Sequence, residues 1–158
     1  MENNPNNIFK KEGGVTVMIP IILATHGDFA RGIKDGAEML VGKSEKVEYV
    51  SLQPGDDFGV FQKKVSDRAR ELDEGDGVLV LADLLGGSPY NAVALTMARD
   101  DVHIECLTGL NMSMLLTALD QREYCNLLQL VEESKIAGVS NIVSVREKLM
   151  EQDEDDTE

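Results

Sequence analysis

The sequence predicts an α/β fold, a doubly wound, mainly parallel sheet with helices on both faces. Three observations carry that expectation. Four apolar runs of strand length lack polar alternation, apolar residues recur at helical spacing between them, and a glycine, proline or capping residue stands at most of the switches. Strands that are apolar on both faces must be covered on both, and parallel neighbours need a crossover long enough to hold a helix. The crossovers are expected to be right-handed, and the strand order adopted is 2-1-3-4.

The first strand is the run 18–24, with Pro20 near its start, where a missing N–H costs least. Asp28 stands at a helix-starting position. Phe29, Ile33, Ala37, Leu40 and Val41 then repeat at helical spacing until Gly42. The second strand, 47–52, ends before Pro54-Gly55, and Phe58, Phe61, Val65, Ala69 and Leu72 mark the second helix. The third strand is 77–82. Ser88 is the expected cap of the third helix, with Pro89 at its first position. The fourth strand is 102–107, after which Asn111 caps a helix bearing Leu115, Leu116 and Leu119, and a further helix carries Leu127, Leu128 and Val131. Residues 139–143, after Gly138, read as a short C-terminal edge strand, with antiparallel pairing or reach to a neighbouring subunit as the alternatives. No internal repeat is visible.

The chain has 158 residues, enough for one domain with a sizeable core. The organisation expected is a polar N-terminal extension over 1–17, one domain over 18–145, and a helical end with an acidic tail over 146–158. The net charge is −14, of which six charges lie in residues 151–158, leaving −8 on the domain. No basic stripe is available to neutralise phosphates, which argues against nucleic acid as a partner. Two cysteines, Cys106 and Cys125, are too few for a disulfide framework and are expected as packed, reduced thiols in a strand and a helix. The longest apolar stretch is about ten residues, against the roughly 20 that cross a bilayer. Residues 1–14 also lack the order of a signal peptide, so a cytoplasmic location is expected.

In open α/β sheets, sites form at the carboxyl ends of the strands, where strand order reverses. Thr25-His26-Gly27-Asp28 follows the first strand, Asp83-Leu84-Leu85-Gly86-Gly87-Ser88-Pro89-Tyr90-Asn91 the third, and Thr108-Gly109-Leu110-Asn111 the fourth. Strands one and three would be neighbours about 4.8 Å apart, which brings His26 and Asp83 within hydrogen-bonding reach. A carboxylate on one ring nitrogen fixes the tautomer and leaves the other nitrogen's lone pair free to attack. Gly86, Gly87 and Ser88 lead into a helix N-terminus, whose amides favour phosphate. A nucleophilic imidazole beside an anion-binding turn suggests phosphoryl transfer. Taken singly, each part has a plainer reading: a histidine making a local hydrogen bond, an aspartate in a turn, a Gly-Gly turn. Their convergence on one sheet edge favours chemistry. His103 lies at the opposite edge and reads as a surface or packing residue, and the methionines, including Met97, Met112 and Met114, as core filler.

Three rivals share this architecture. A flavodoxin needs a hydroxyl-rich phosphate loop after strand one, which Thr25-His26-Gly27-Asp28 does not supply. A receiver domain needs an acidic pair there to hold Mg²⁺, where His26 stands. A histidine phosphatase needs Arg before the nucleophile, where Thr25 stands.

These residues resemble the mannose-family enzyme IIA component of the bacterial phosphoenolpyruvate-dependent sugar phosphotransferase system. The resemblance runs from about Met18 to Val143. It rests on Thr25-His26-Gly27 after an apolar strand, Ala37-Glu38-Met39-Leu40-Val41-Gly42, Pro54-Gly55, and Asp83 followed by Gly86-Gly87-Ser88-Pro89-Tyr90-Asn91. It implies that His26 accepts a phosphoryl group on Nε2 from the phosphocarrier HPr and passes it to a separate IIB component, with membrane IIC and IID components downstream. It also implies that Asp83 orients the ring through Nδ1 and that Ser88 contacts the phosphoryl group. No metal or cofactor is implied. Members of the family are homodimers that exchange a C-terminal strand, a role that residues 139–143 would fit. Leu84-Leu85 departs from the bulky polar or aromatic pair often found there. Two alternatives remain at this stage: a subunit of the same fold feeding dihydroxyacetone kinase, which the Gly-Gly-Ser-Pro motif disfavours, and a regulatory module whose phosphorylation state is read by another protein.

Overall fold

Residues 17–155 are described in a computed structural model. Four parallel strands form the sheet: β1 (Ile21–His26), β2 (Val47–Leu52), β3 (Val78–Ala82) and β4 (Ile104–Thr108), in the order β2-β1-β3-β4. The register sets Ile21 opposite Val47 and Leu79, Ala24 opposite Ala82, and Ala82 opposite Thr108. Six helices complete the described chain: α1 (Phe29–Val41), α2 (Phe58–Leu72), α3 (Ser88–Met97), α4 (Met112–Gln121), α5 (Leu127–Ser140) and α6 (Val145–Asp155).

Because side chains alternate across a strand, each central strand feeds two cores. Ile21, Leu23, Leu79 and Leu81 pack with Ile33 and Ala37 of α1, Leu115 and Ala118 of α4, and Leu130 of α5. Ile22, Ala24, Val78 and Val80 turn the other way, onto Phe61, Val65 and Ala69 of α2 and Ala92 and Val93 of α3. This is the double covering that unbroken apolar strands require, and it leaves the ends of β1 and β3 as the place where polar residues reach solvent.

Strand boundaries shift for reasons the hydrogen bonds show. Pro20 has no N–H, and the ladder begins at Ile21, whose amide donates to Lys46 O at 2.9 Å. Its other end continues through polar Thr25 and His26, since Gly27 N donates to Leu52 O at 2.8 Å. Asp57, Asn111 and Asn126 cap α2, α4 and α5 by accepting from Val60 N, Met114 N and Gln129 N. Asp28 occupies the cap position of α1 without bonding its amides. Its carboxylate accepts instead from Gln53 Nε2 at 2.8 Å, and Thr25 Oγ1 accepts from Ala30 N at 2.9 Å.

The expected edge strand over 139–143 is not present: α5 continues through Ser140, residues 141–144 carry no strand, and the sheet of the described residues has four strands. Tertiary packing overrides the β-branched run. Leu127, Leu130, Ser134 and Gly138 recur at helical spacing as the buried face of α5. Gly138 lies so close to α4 that a Cβ there would come within 2.9 Å of Met114 Cε, and its carbonyl accepts from Asn111 Nδ2 at 3.0 Å. Val139, Ile142 and Val143 are left exposed. The acidic tail is helical as far as Asp155. Residues 1–16 of the expected extension and 156–158 of the tail lie outside the described residues.

Both cysteines are free thiols. Cys106 lies in β4, and burial, with Glu105 beside it, pushes its pKa up to about 12. Cys125 is buried in the connection between α4 and α5, not in a helix. No helix among the described residues is long and apolar enough to cross a membrane.

Candidate active site

Parallel strands with alternating helices point every strand's carboxyl end, and the N-terminus of the helix after it, toward one edge of the sheet. Strand order reverses between β1 and β3, the neighbours that carry His26 and Asp83. His26 is the last residue of β1, and Asp83 is the first residue after β3.

One oxygen of Asp83 serves His26 twice: Oδ2 accepts from the backbone N–H of His26 and lies 2.9 Å from its Nδ1. The other oxygen, Oδ1, accepts from Leu84 N at 2.9 Å. Held by two amides, the carboxylate has little freedom to turn away. A carboxylate only accepts, so Nδ1 carries the ring proton and the lone pair resides on Nε2. The histidine side chain is 44% exposed and that of Asp83 only 16%, so the imidazole is accessible while its partner is shielded.

The turn after Asp83 brings the third component. Gly86 has φ +78°, a left-handed conformation that favours glycine, and Gly87 N closes the turn on Leu84 O at 3.1 Å. The amide of Gly87 is therefore consumed inside the turn. Helix α3 starts one residue earlier than the motif suggests: Gly87 is the N-cap, Ser88 the first helical residue and Pro89 the second. Among the described residues the amides of Ser88 and Tyr90 have no acceptor. With the positive end of the helix dipole behind them they form a donor pair for an anion.

Around the ring the surface is open and mixed in character. Leu84 and Leu85 flank the site, 60% and 71% exposed, and Phe29 is also exposed. The loops at this edge carry Asp28, Asp56 and Asp57 and no Lys or Arg. Two concave patches lie elsewhere, along the β4 edge, one lined by Met97 and residues 100–105 and the other by Tyr90, Ala94, Met97, Ala98 and Cys106. His103 precedes β4 at the opposite end of the sheet, against Gly77. The described residues contain no group of three or more His, Cys, Asp or Glu arranged to hold a metal ion.

The structure thus brings His26, Asp83, Gly86, Gly87 and Ser88 to one edge. Sequence reasoning missed the bond between Asp28 and Gln53, which ties the loop after β1 to the loop after β2, and the service of Thr25 Oγ1 at the start of α1. A hydroxyl at the end of a strand, a few residues before a helix, was the available signal for the second.

Comparison with known proteins finds relatives over most of the chain. The family model described as the PTS system fructose IIA component matches residues 20–135. The fructose-specific EIIA component of Bacillus subtilis is 32% identical over 118 residues, covering 75% of this chain and 80% of the relative. The mannose-specific EIIAB component of Escherichia coli K12 is 35% identical over 125 residues, and there the match spans 77% of this chain but only 38% of the longer relative. Among solved structures, the phosphotransferase system component EIIA of Streptococcus agalactiae superposes with a TM-score of 0.73 at 32% identity, covering 80% of this chain and 97% of the other. The mannose/sorbose-specific IIA subunit of Enterococcus faecalis gives 0.73 at 27% identity, covering 82% and 96%.

Proposed function

Since the chain belongs to the mannose/fructose enzyme IIA family of the sugar phosphotransferase system, we propose that His26 is its phosphoryl carrier, loaded on Nε2 by HPr and unloaded to a separate IIB component. The observation that carries the reading is the Nδ1 contact with Asp83 at 2.9 Å on a ring whose side chain is 44% exposed.

The step is an in-line displacement. The Nε2 lone pair of His26 forms a bond to phosphorus as the bond between phosphorus and the donor's imidazole nitrogen breaks, and the donor ring leaves with that electron pair. As the lone pair is engaged, the His26 ring, still protonated on Nδ1, becomes cationic. The Asp83 carboxylate compensates that charge and keeps the proton in place. The Ser88 and Tyr90 amides and the Ser88 hydroxyl receive the equatorial oxygens. Return transfer to IIB is the same displacement in reverse, so a reversible carrier needs positioning rather than a deep pocket. An exposed ring with an apolar rim suits a protein partner better than a small-molecule substrate.

In this reading the protein acts in the cytoplasm as a homodimer beside the membrane IIC and IID components. The relatives differ in the sugar they are named for, and the sugar is selected beyond this chain.

The test is phosphorylation with enzyme I, HPr and phosphoenolpyruvate. The wild type should acquire an acid-labile, alkali-stable phosphoryl group, and His26→Ala should acquire none. Normal uptake by His26→Ala would overturn the assignment.

A further inference from the structure

The N-cap of a helix is ordinarily filled by Ser, Thr, Asp or Asn, whose side-chain oxygen binds the first free amides. In α3 the cap is Gly87, although its φ of −71° and ψ of 168° are open to any residue. Backbone conformation therefore does not explain the glycine. The space does: a Cβ built on Gly87 would lie 2.8 Å from His26 Cε1, the carbon between the two ring nitrogens. The backbone around Gly87 is tied by its N–H to Leu84 O and by its carbonyl to Asn91 N, so it has little room to withdraw. The ring is tied through Nδ1 to Asp83. Neither side of the contact yields without losing a hydrogen bond.

We propose that Gly87 is a positioning residue for His26: the missing side chain makes the slot in which the imidazole stands against the start of α3 with Nδ1 on Asp83. The missing capping oxygen has a second effect, because a side chain there would engage the Tyr90 amide that the incoming phosphoryl oxygens are to use. A helix cap is given up so that the ring and an anion can share the helix end. This deepens the assignment of His26 as the carrier and rests on it for its catalytic consequence, but the slot itself is tested without any phosphoryl transfer.

The experiment is a cycle on the full chain: wild type, Gly87→Ala, His26→Ala and the double variant, with Gly32→Ala as a control, since a Cβ at Gly32 meets nothing within 4 Å. Thermal stability is measured for all five proteins, and ring-nitrogen NMR is recorded for those that keep His26. Gly87→Ala should lower the melting temperature in the wild type and lower it distinctly less in the His26→Ala background, where the 2.8 Å contact with the ring is gone and only the Leu84 carbonyl, 3.3 Å from the added Cβ, still crowds it. In Gly87→Ala the ring should lose its fixed Nδ1–H tautomer, and the phosphorylation rate should fall by about a hundredfold, the scale expected of an ångström-sized displacement of a nucleophile. If Gly87→Ala does not fold, the double variant decides: folding of the double supports the slot, and its failure assigns Gly87 to the turn alone and overturns the proposal. An unchanged tautomer with a phosphorylation rate within about twofold of wild type also overturns it. Failure of the wild type to take up phosphate on His26 would sink the function and leave the tautomer and stability readings intact.

Discussion

At the scale of single residues, the site depends on which atom holds a proton. Asp83 accepts from three N–H groups through two oxygens, two of them from His26. Asp83→Asn can preserve much of that geometry while changing the charge, and its amide end can donate to Nδ1 and favour the inactive tautomer. Its expected effect is phosphoryl transfer slower by roughly 10² to 10⁴, the upper figure being that of an analogous tautomer-reversing substitution in a serine protease. Stability should change by only about 1 to 2 kcal/mol, because the turn that carries the residue remains. Stopped-flow phosphorylation alongside a denaturant melt checks both, and a global loss of structure would show that Asp83 is chiefly architectural. Ser88 illustrates a smaller revision. It was expected as the cap, and at the first helical position it presents its amide rather than covering the next ones.

The elements are held in place by a few polar contacts at their ends. Asn111 does two jobs, capping α4 through Met114 N and binding the Gly138 carbonyl of α5 from its side-chain amide. Asn111→Ala should therefore cost more than a simple cap, about 2 kcal/mol rather than about 1. The comparison is Asn126→Ala, which removes a capping box confined to α5. Equal losses in urea melts would show that the bridge between α4 and α5 contributes nothing. The same bridge explains why residues 139–143 misled: local β propensity is weak against a helix whose buried face and close glycine contact are already fixed by α4.

For the molecule as a whole, the chain's charge governs encounter rather than fold. The domain carries −8 and the acidic C-terminal end the rest, while the loops around His26 hold aspartates and no lysine or arginine. A phosphoryl donor with a basic face should be steered to this edge, and the bimolecular rate of phosphorylation should fall as salt rises, by about tenfold between low and high ionic strength. A salt-independent rate would place recognition in the apolar rim of Leu84 and Leu85 alone. The sequence by itself pointed to a parallel sheet covered on both faces, with His26 and Asp83 at the ends of its first and third strands; that the two meet follows from the strand order β2-β1-β3-β4. Unbroken apolar strands must be covered on both faces, and that covering directs the functional residues to one edge. Tertiary structure alone decided the fate of residues 139–143, the shift of the third helix cap and the closeness of Gly87 to the imidazole. These are matters of ångström-scale contact between segments far apart in the chain, and neither periodicity nor propensity encodes such distances.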